Sequence, residues 1–349
     1  SENPYTACRK TCPTLEGGSH LAPSLELRGG PEFFIERQIT LVEDLISGAE
    51  EVRTGPLEIC FPTTTYCNYD CLMCPYGQIG TLEDELPESF YQQLGELIPG
   101  MYLIEALGGE PLASKVFRDF LADFDFPSHP HIRMSLITNG SYLTPKEQSR
   151  LAHVPFTNLT CSINAATPES YLKVNRGLPW ERTRENLNEL LKRRHEGSFG
   201  GAITYSMVLL KSNYHEIRQF ADLARKDGVQ FRYMLTMHNL NDESIMTSPE
   251  IMKAALSDLE VTAQEEWKRG QWHSAREMLG EARVLKRRLD KGIFRPIPDD
   301  EEESSSGNVR DRSPSEESEK PAPLAPDFAE RDKKLKAAQK AFGHKPEKA

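Results

Sequence analysis

The sequence has no long apolar run and no concentration of basic residues. Its 349 residues include no uninterrupted apolar stretch of about 18 residues, the length that a membrane-spanning helix requires. The net charge is -11, and no dense stripe of Lys and Arg is present to neutralise a phosphate backbone. The first 25 residues lack the zones of a signal peptide. These absences argue against a membrane protein and against nucleic acid as a partner, and they predict a cytoplasmic protein.

Cysteine is scarce and unevenly placed. The chain has seven cysteines, an odd number, and none follows Cys161. Three of them lie within eight positions, which fits thiolate ligation in a reducing compartment better than a disulfide framework. With 38% hydrophobic residues, the chain can form one large domain of roughly 200 to 250 residues with extensions.

The centre of the chain, residues 55–240, alternates apolar strand-like runs with helical patterns, as a parallel sheet requires. The predicted strands are residues 57–62, 102–107, 132–138, 158–163, 203–210 and 229–235. The predicted helices are residues 88–98, 115–123, 145–153, 168–174 with 181–194, and 214–226. Because eight units close a barrel, six predict an open α/β fold, a partial (β/α)6 TIM-like barrel.

The flanking regions differ from the centre in composition. Residues 1–54 are read as an N-terminal arm followed by a helix over 31–51. Residues 241–295 carry two amphipathic patterns that predict C-terminal helices at 249–268 and 272–291. Residues 296–349 form an acidic, Ser/Pro-rich tail that we expect to be disordered, with a short terminal helix, because the tail cannot bury enough apolar area.

The densest chemical signal is Cys67-Asn-Tyr-Asp-Cys71-Leu-Met-Cys74, on the loop after the first predicted strand. This spacing lets three sulfurs converge on a compact ion or cluster. Three ligands on a four-iron cube leave one iron open, the arrangement needed when a substrate binds the metal. A structural zinc site wants four protein ligands, and neither Cys60 nor His129 is spaced to complete one. Zinc, or cysteines with no ligand, remain the alternatives.

The motif resembles the CxxxCxxC signature of the radical S-adenosylmethionine (SAM) superfamily, and the resemblance covers about residues 57–237. It implies that Cys67, Cys71 and Cys74 hold a [4Fe-4S] cluster whose fourth iron is chelated by SAM. The family usually has an aromatic residue before the third cysteine, where this chain has Met73. Within the family, the chain most resembles the SPASM/twitch branch, but without a C-terminal auxiliary-cluster domain.

A second motif, Gly108-Gly109-Glu110-Pro111, directly follows the second predicted strand. Glycines permit close backbone approach, and a carboxylate at the carboxyl end of a strand offers an acceptor for an ammonium group. An ordinary turn is the alternative for such a tetrapeptide taken alone. The resemblance implies that this motif contacts the amino group of SAM.

Polar residues also follow the next two predicted strands. Asn139 comes after strand three, and Ser162 and Asn164 come at the end of strand four. The resemblance implies that these groups serve the ribose and carboxylate of SAM, and that Arg176 pairs with the carboxylate. Plain turns and a surface charge are the equal alternatives.

The implied reaction is reductive cleavage of SAM to methionine and a 5'-deoxyadenosyl radical, which abstracts a hydrogen atom from a substrate. An open barrel suits a peptide or a sugar conjugate, and a flavodoxin- or ferredoxin-like electron donor is implied. A sugar-modifying enzyme or a methyltransferase is the alternative among enzymes. A non-catalytic iron-sulfur or zinc scaffold is the alternative of another class.

Cys8 and Cys12 form a separate pair near the start of the chain. We predict that they hold no auxiliary cluster, because a second cube wants four ligands. The two other remaining cysteines, Cys60 and Cys161, fall inside predicted strands and are expected to be buried in the sheet.

Overall fold

A computed structural model describes residues 31–74, 84–177, 179–236 and 239–294. The predicted arm at 1–30, with Cys8 and Cys12, lies outside the described residues. So does the predicted tail at 296–349.

A single parallel sheet of six strands forms the centre of the described structure, and its strand order follows the sequence. The strands are β1 (Glu58–Pro62), β2 (Leu103–Leu107), β3 (Arg133–Thr138), β4 (Phe156–Ser162), β5 (Ala202–Leu209) and β6 (Gln230–Leu235). Each neighbouring pair is parallel. Strands β1 and β6 are the two edges, so the predicted α/β partial barrel is confirmed.

Helices connect the strands and extend the chain on both sides. They are α1 (Glu32–Ser47), α2 (Glu88–Leu97), α3 (Lys115–Asp123), α4 (Pro145–Arg150), α5 (Pro168–Asn175), α6 (Trp180–His195), α7 (Ile217–Lys226), α8 (Pro249–Lys268) and α9 (Trp272–Asp290). Several begin after a hydroxyl residue that accepts a hydrogen bond from the first turn, as Thr144, Thr167 and Ser248 do. Proline follows each of these three caps, where its missing N–H costs nothing.

The sheet has one apolar face and one polar face. On the face toward the helices, Ile104, Leu136 and Tyr205 are fully buried in the hydrophobic core. Because side chains alternate along a strand, their neighbours point into the barrel interior, where Glu105 and Ser135 lie. The interior of the barrel is therefore available for polar chemistry.

Two cysteines outside the motif have opposite environments. Cys161 is fully buried on the helix side of β4, as predicted. Cys60 was also expected to be buried, and this was wrong, since its side chain is exposed. The reason is that β1 is an edge strand and Cys60 lies on its interior face, which the open barrel leaves uncovered.

The C-terminal helices pack against the last unit of the barrel. Helix α8 contacts α7, and Arg225 donates a hydrogen bond from Nε to Glu266 Oε1 at 2.8 Å. Helix α9 packs against β6. In the part of the chain that the structure describes, no helix is long and apolar enough to span a membrane.

Candidate cluster and cofactor site

The loops that follow β1 and β2 are joined by main-chain hydrogen bonds. Gly109 N donates to Thr64 O at 2.7 Å, and Glu110 N donates to Tyr66 O at 2.8 Å. A Cβ on residue 109 would lie 2.1 Å from Tyr66 O, and Gly108 has φ +128°. Only glycines allow this approach, so the two sequence motifs are brought into direct contact by their backbones.

Cys67 lies where these two loops meet the end of β3. Its sulfur accepts hydrogen bonds from Tyr69 N at 3.4 Å and from Asn139 Nδ2 at 3.8 Å. Burial raises the pKa of the Cys67 thiol to about 11, and the nearby charges of Glu110 and Cys74 act in the same direction. Because a metal binds the thiolate, ligation would offset this cost of ionisation.

Cys71 lies on the other side of the same loop, against the end of α5. Its thiol is 3.5 Å from Asn175 O, to which it donates a hydrogen bond. Burial raises the pKa of Cys71 strongly, and the charges of Cys67 and Cys74 add to the rise. The three sulfurs are therefore near enough to influence one another's ionisation.

The donor set of the loop is compatible with a four-iron cluster. Cys67, Cys71 and Cys74 supply three thiolates, which leave one iron of a four-iron cube without a protein ligand. A structural zinc site wants four protein ligands, one more than this loop supplies.

Glu110 is fully buried and its carboxylate is already engaged. It accepts hydrogen bonds from Thr138 Oγ1 at 2.7 Å, Asn139 N at 2.7 Å and Leu112 N at 3.1 Å. Burial raises the pKa of Glu110 from 4.5 to about 7, although these hydrogen bonds oppose the rise. The side chain joins the ends of β2 and β3, a role that the sequence did not reveal.

Asn139 connects the two motifs. Its main-chain N–H binds Glu110, while its side-chain amide donates to Cys67 Sγ and, at 2.9 Å, to Asn68 Oδ1. Asn68 in turn donates to Ser141 Oγ at 2.9 Å. Asn68 was not singled out from the sequence, although its place between two cysteines could have drawn notice.

Asn164 and Arg176 hold the Cys71 side of the loop. Asn164, at φ +59°, donates to Asn175 Oδ1 at 3.0 Å and accepts from Val208 N at 3.0 Å. Arg176 donates from Nε to Asp70 O at 2.6 Å, and its Nη2 lies 3.1 Å from Asp70 Oδ2. Both predicted cofactor residues therefore contact the loop or its support.

The remaining predicted residues, Pro111 and Ser162, lie at the carboxyl ends of β2 and β4. Ser162 points into the barrel, where its hydroxyl accepts a hydrogen bond from Ser206 Oγ at 3.5 Å. Pro111 is buried and begins the short 3-10 turn Pro111–Ala113. Another anchor that the sequence did not reveal is Tyr69, whose hydroxyl is 2.9 Å from both Tyr171 Oη and Thr183 Oγ1.

This chain combines a six-stranded parallel partial barrel with a three-cysteine loop after the first strand, and this combination is typical of one class of proteins. Residues 61–224 match the radical SAM superfamily, a range that runs from β1 into α7 and contains both motifs. Over this range the chain is similar to the radical SAM superfamily. That family uses a [4Fe-4S] cluster and SAM.

Two curated proteins are similar to this chain in sequence. "Mycofactocin maturase MftC" of Mycobacterium tuberculosis strain H37Rv is 26% identical over 205 residues, covering 55% of this chain and 47% of that protein. "GTP 3',8-cyclase" of Helicobacter pylori strain 26695 is 26% identical over 189 residues, covering 52% of this chain and 56% of that protein. The chain thus spans about half the length of these relatives.

A solved structure shares the fold. Native anSMEcpe with bound AdoMet and Cp18Cys peptide matches with a TM-score of 0.50 and 15% sequence identity, over 62% of each chain. This likeness supports the partial-barrel architecture and nothing finer.

Proposed function

We propose that this chain is a radical SAM enzyme, with Cys67, Cys71 and Cys74 as the ligands of a [4Fe-4S] cluster. The observation that carries the proposal is the contact between the three-cysteine loop and the Gly108-Gly109-Glu110-Pro111 motif at the carboxyl ends of β1 and β2. A cluster held there would supply the electron that cleaves SAM to methionine and a 5'-deoxyadenosyl radical, which takes a hydrogen atom from the substrate.

The residues at these strand ends divide into those that would contact SAM and those that position other groups. Gly108, Gly109 and Pro111 lie beside the cysteine loop and would meet SAM, with Ser162 at the end of β4. Four residues are positioning residues in this proposal, because their side chains already bind protein groups: Glu110, Asn139, Asn164 and Arg176. Supports of this kind hold reacting groups in place before SAM arrives.

A peptide is the substrate class that we propose. It is supported by the similarity to a protein named a maturase and by the open edges of the barrel, where an extended chain can enter from the side. A flavodoxin- or ferredoxin-like protein would supply the electron. The chain would work in the cytoplasm, a reducing compartment that suits thiolate ligation.

The division of the chain into residues 1–54, 55–240, 241–295 and 296–349 also stands as a proposal. So does the expectation that Cys8 and Cys12 hold no second cluster. The exposure of Cys60 removes one premise of that expectation. Buried Cys161 still leaves only three candidate thiols, one fewer than a full cube wants.

The test of the ligand assignment is the iron content of anaerobically reconstituted protein. We expect about four irons per chain and the broad visible absorption of an iron-sulfur cluster. A Cys67→Ala/Cys71→Ala/Cys74→Ala variant should lose both, whereas Cys60→Ala, the matched control at an exposed cysteine, should keep them. Four irons in the triple variant would overturn the assignment, and about eight in the unmodified protein would overturn the prediction for Cys8 and Cys12.

A further inference from the structure

A cavity of about 220 Å³ opens on the interior face of β4, β5 and β6 where α9 begins. Its lining includes Asn158, Thr160, Thr204, Arg232, Ser274 and Glu277. The strand residues come from the first half or the middle of their strands, so the cavity lies toward the amino ends of the strands, away from the cysteine loop. A volume of this size holds several water molecules or one small organic molecule.

Polar residues line this part of the barrel in a connected row. Asn158 Nδ2 donates to Thr160 Oγ1 at 3.1 Å, and Thr204 Oγ1 donates to Asn158 Oδ1 at 3.1 Å. Thr160 and Thr204 are register partners on neighbouring strands. The interior of a parallel barrel is ordinarily filled by Val, Ile and Leu, so a polar row here is a departure that packing alone does not require.

Arg232 is the cation of this cavity. Its side chain is half-buried, and its Nε is buried without a hydrogen-bond partner among the described residues. Two other arginines near these strands do have acidic partners: Arg184 is paired with Asp227, and Arg225 is paired with Glu266. A buried N–H without an acceptor is costly, and a bound anion would supply that acceptor.

The acid that lines the cavity, Glu277, does not serve as the missing partner. Glu277, which is 42% exposed, lies 3.4 Å from His273 Nε2 at the rim, and it makes no ion pair with Arg232 within the described ranges. The strand side of the cavity therefore carries the positive charge of Arg232 beside the neutral side chains of Asn158, Thr160 and Thr204, and Glu277 lies on the helix side.

We propose that this cavity binds a small carboxylate, held by the guanidinium of Arg232 and by the remaining donors of the polar row, the hydroxyl of Thr160 and the second amide N–H of Asn158. A planar guanidinium matches a carboxylate with two parallel hydrogen bonds, which a hydroxyl or amide cannot do. The carboxylate belongs either to a free small acid or to a peptide terminus. This site is separate from the cysteine loop, and its existence does not depend on the proposed reaction.

The test is a titration of the full chain with three probes, followed by saturation-transfer NMR. Propionate represents a free acid, N-acetylglycine a peptide terminus, and n-propylamine the opposite charge. We expect saturable binding of propionate and none of n-propylamine. Saturable binding of N-acetylglycine as well would assign the site to a peptide terminus, and binding of propionate alone would assign it to a free acid.

Two variants separate a specific site from a general effect of charge. Arg232→Gln should weaken carboxylate binding about tenfold or more, the effect of losing hydrogen bonds to a charged group. Arg133→Gln is the matched control at the start of β3, because that guanidinium donates to Pro130 O and Ile132 O. No saturable carboxylate binding, or an equal loss in both variants, would overturn the proposal, whatever the fate of SAM cleavage.

Discussion

The buried polar groups at the two ends of the barrel differ in how completely they are hydrogen-bonded. At the carboxyl end, Glu110 is fully buried and accepts three hydrogen bonds, and Asn139 uses both its main chain and its side chain. At the amino end, Arg232 faces a cavity and has no partner among the described residues. A completed network makes a rigid frame, whereas an incomplete one leaves binding capacity for a ligand.

The largest effect is expected where the network is complete. Replacing Glu110 by Ala removes the acceptor of three buried donors and leaves a cavity, so we expect a loss of about 3 kcal/mol or more in the free energy of unfolding. Urea denaturation of the metal-free protein at pH 8, above the raised pKa of Glu110, measures it.

The control for that experiment is the other carboxylate of β2. Glu105 lies in the barrel interior, where it accepts hydrogen bonds from Ser135 Oγ at 3.1 Å and from Cys60 Sγ at 3.5 Å. Glu105→Ala should cost about 1 kcal/mol or less, because this site is open to water. Equal losses in the two variants would show that the two carboxylates support the fold alike.

A smaller loss of stability is expected when a methyl group is added where the two sequence motifs touch. In Gly109→Ala, the new methyl group would have to displace Tyr66 O, and we expect a cost of about 1 to 3 kcal/mol together with weaker cluster loading. Gly280→Ala is the matched control, because its Cβ would meet nothing within 4 Å and it lies in α9. Unfolding and iron content are the two measurements, and unchanged iron in Gly109→Ala would mean that the loops need not touch.

The smallest effect on stability is expected at the amino end. Arg232 stabilises nothing through hydrogen bonds to the described residues, so Arg232→Gln should change the free energy of unfolding by no more than about 0.5 kcal/mol. Urea denaturation without added carboxylate measures this. A loss comparable to that of Glu110→Ala would make Arg232 a structural residue and erase the difference between the two ends.

The sequence predicted the fold well because apolar runs mark buried parallel strands. All six strands lie within two residues of their predicted limits, since turns and helix caps such as Thr144 bound the runs. The helix after β3 was predicted to reach residue 153 but ends at Arg150, because a turn follows. The error at Cys60 has another cause: the sequence of the short strand Glu58–Pro62 does not reveal which face an open barrel leaves uncovered.

The candidate site was only partly predictable. Its motif residues are local in sequence, so Cys67, Cys71, Cys74 and the glycines could be found by spacing. Their supports are not local: Asn139 lies 71 residues from Asn68, and Tyr69 lies 102 residues from Tyr171. Contacts at such separations are set by strand order and register, which a single sequence does not display.

The most direct test of the central claim is SAM turnover by the reconstituted protein. The full chain, carrying about four irons, would be reduced by dithionite and incubated with SAM, and 5'-deoxyadenosine would be measured by mass spectrometry. The account predicts slow formation of 5'-deoxyadenosine without added substrate, and none in the variant lacking Cys67, Cys71 and Cys74. A fully loaded, reduced protein that forms no 5'-deoxyadenosine would contradict it and favour a non-catalytic iron-sulfur scaffold.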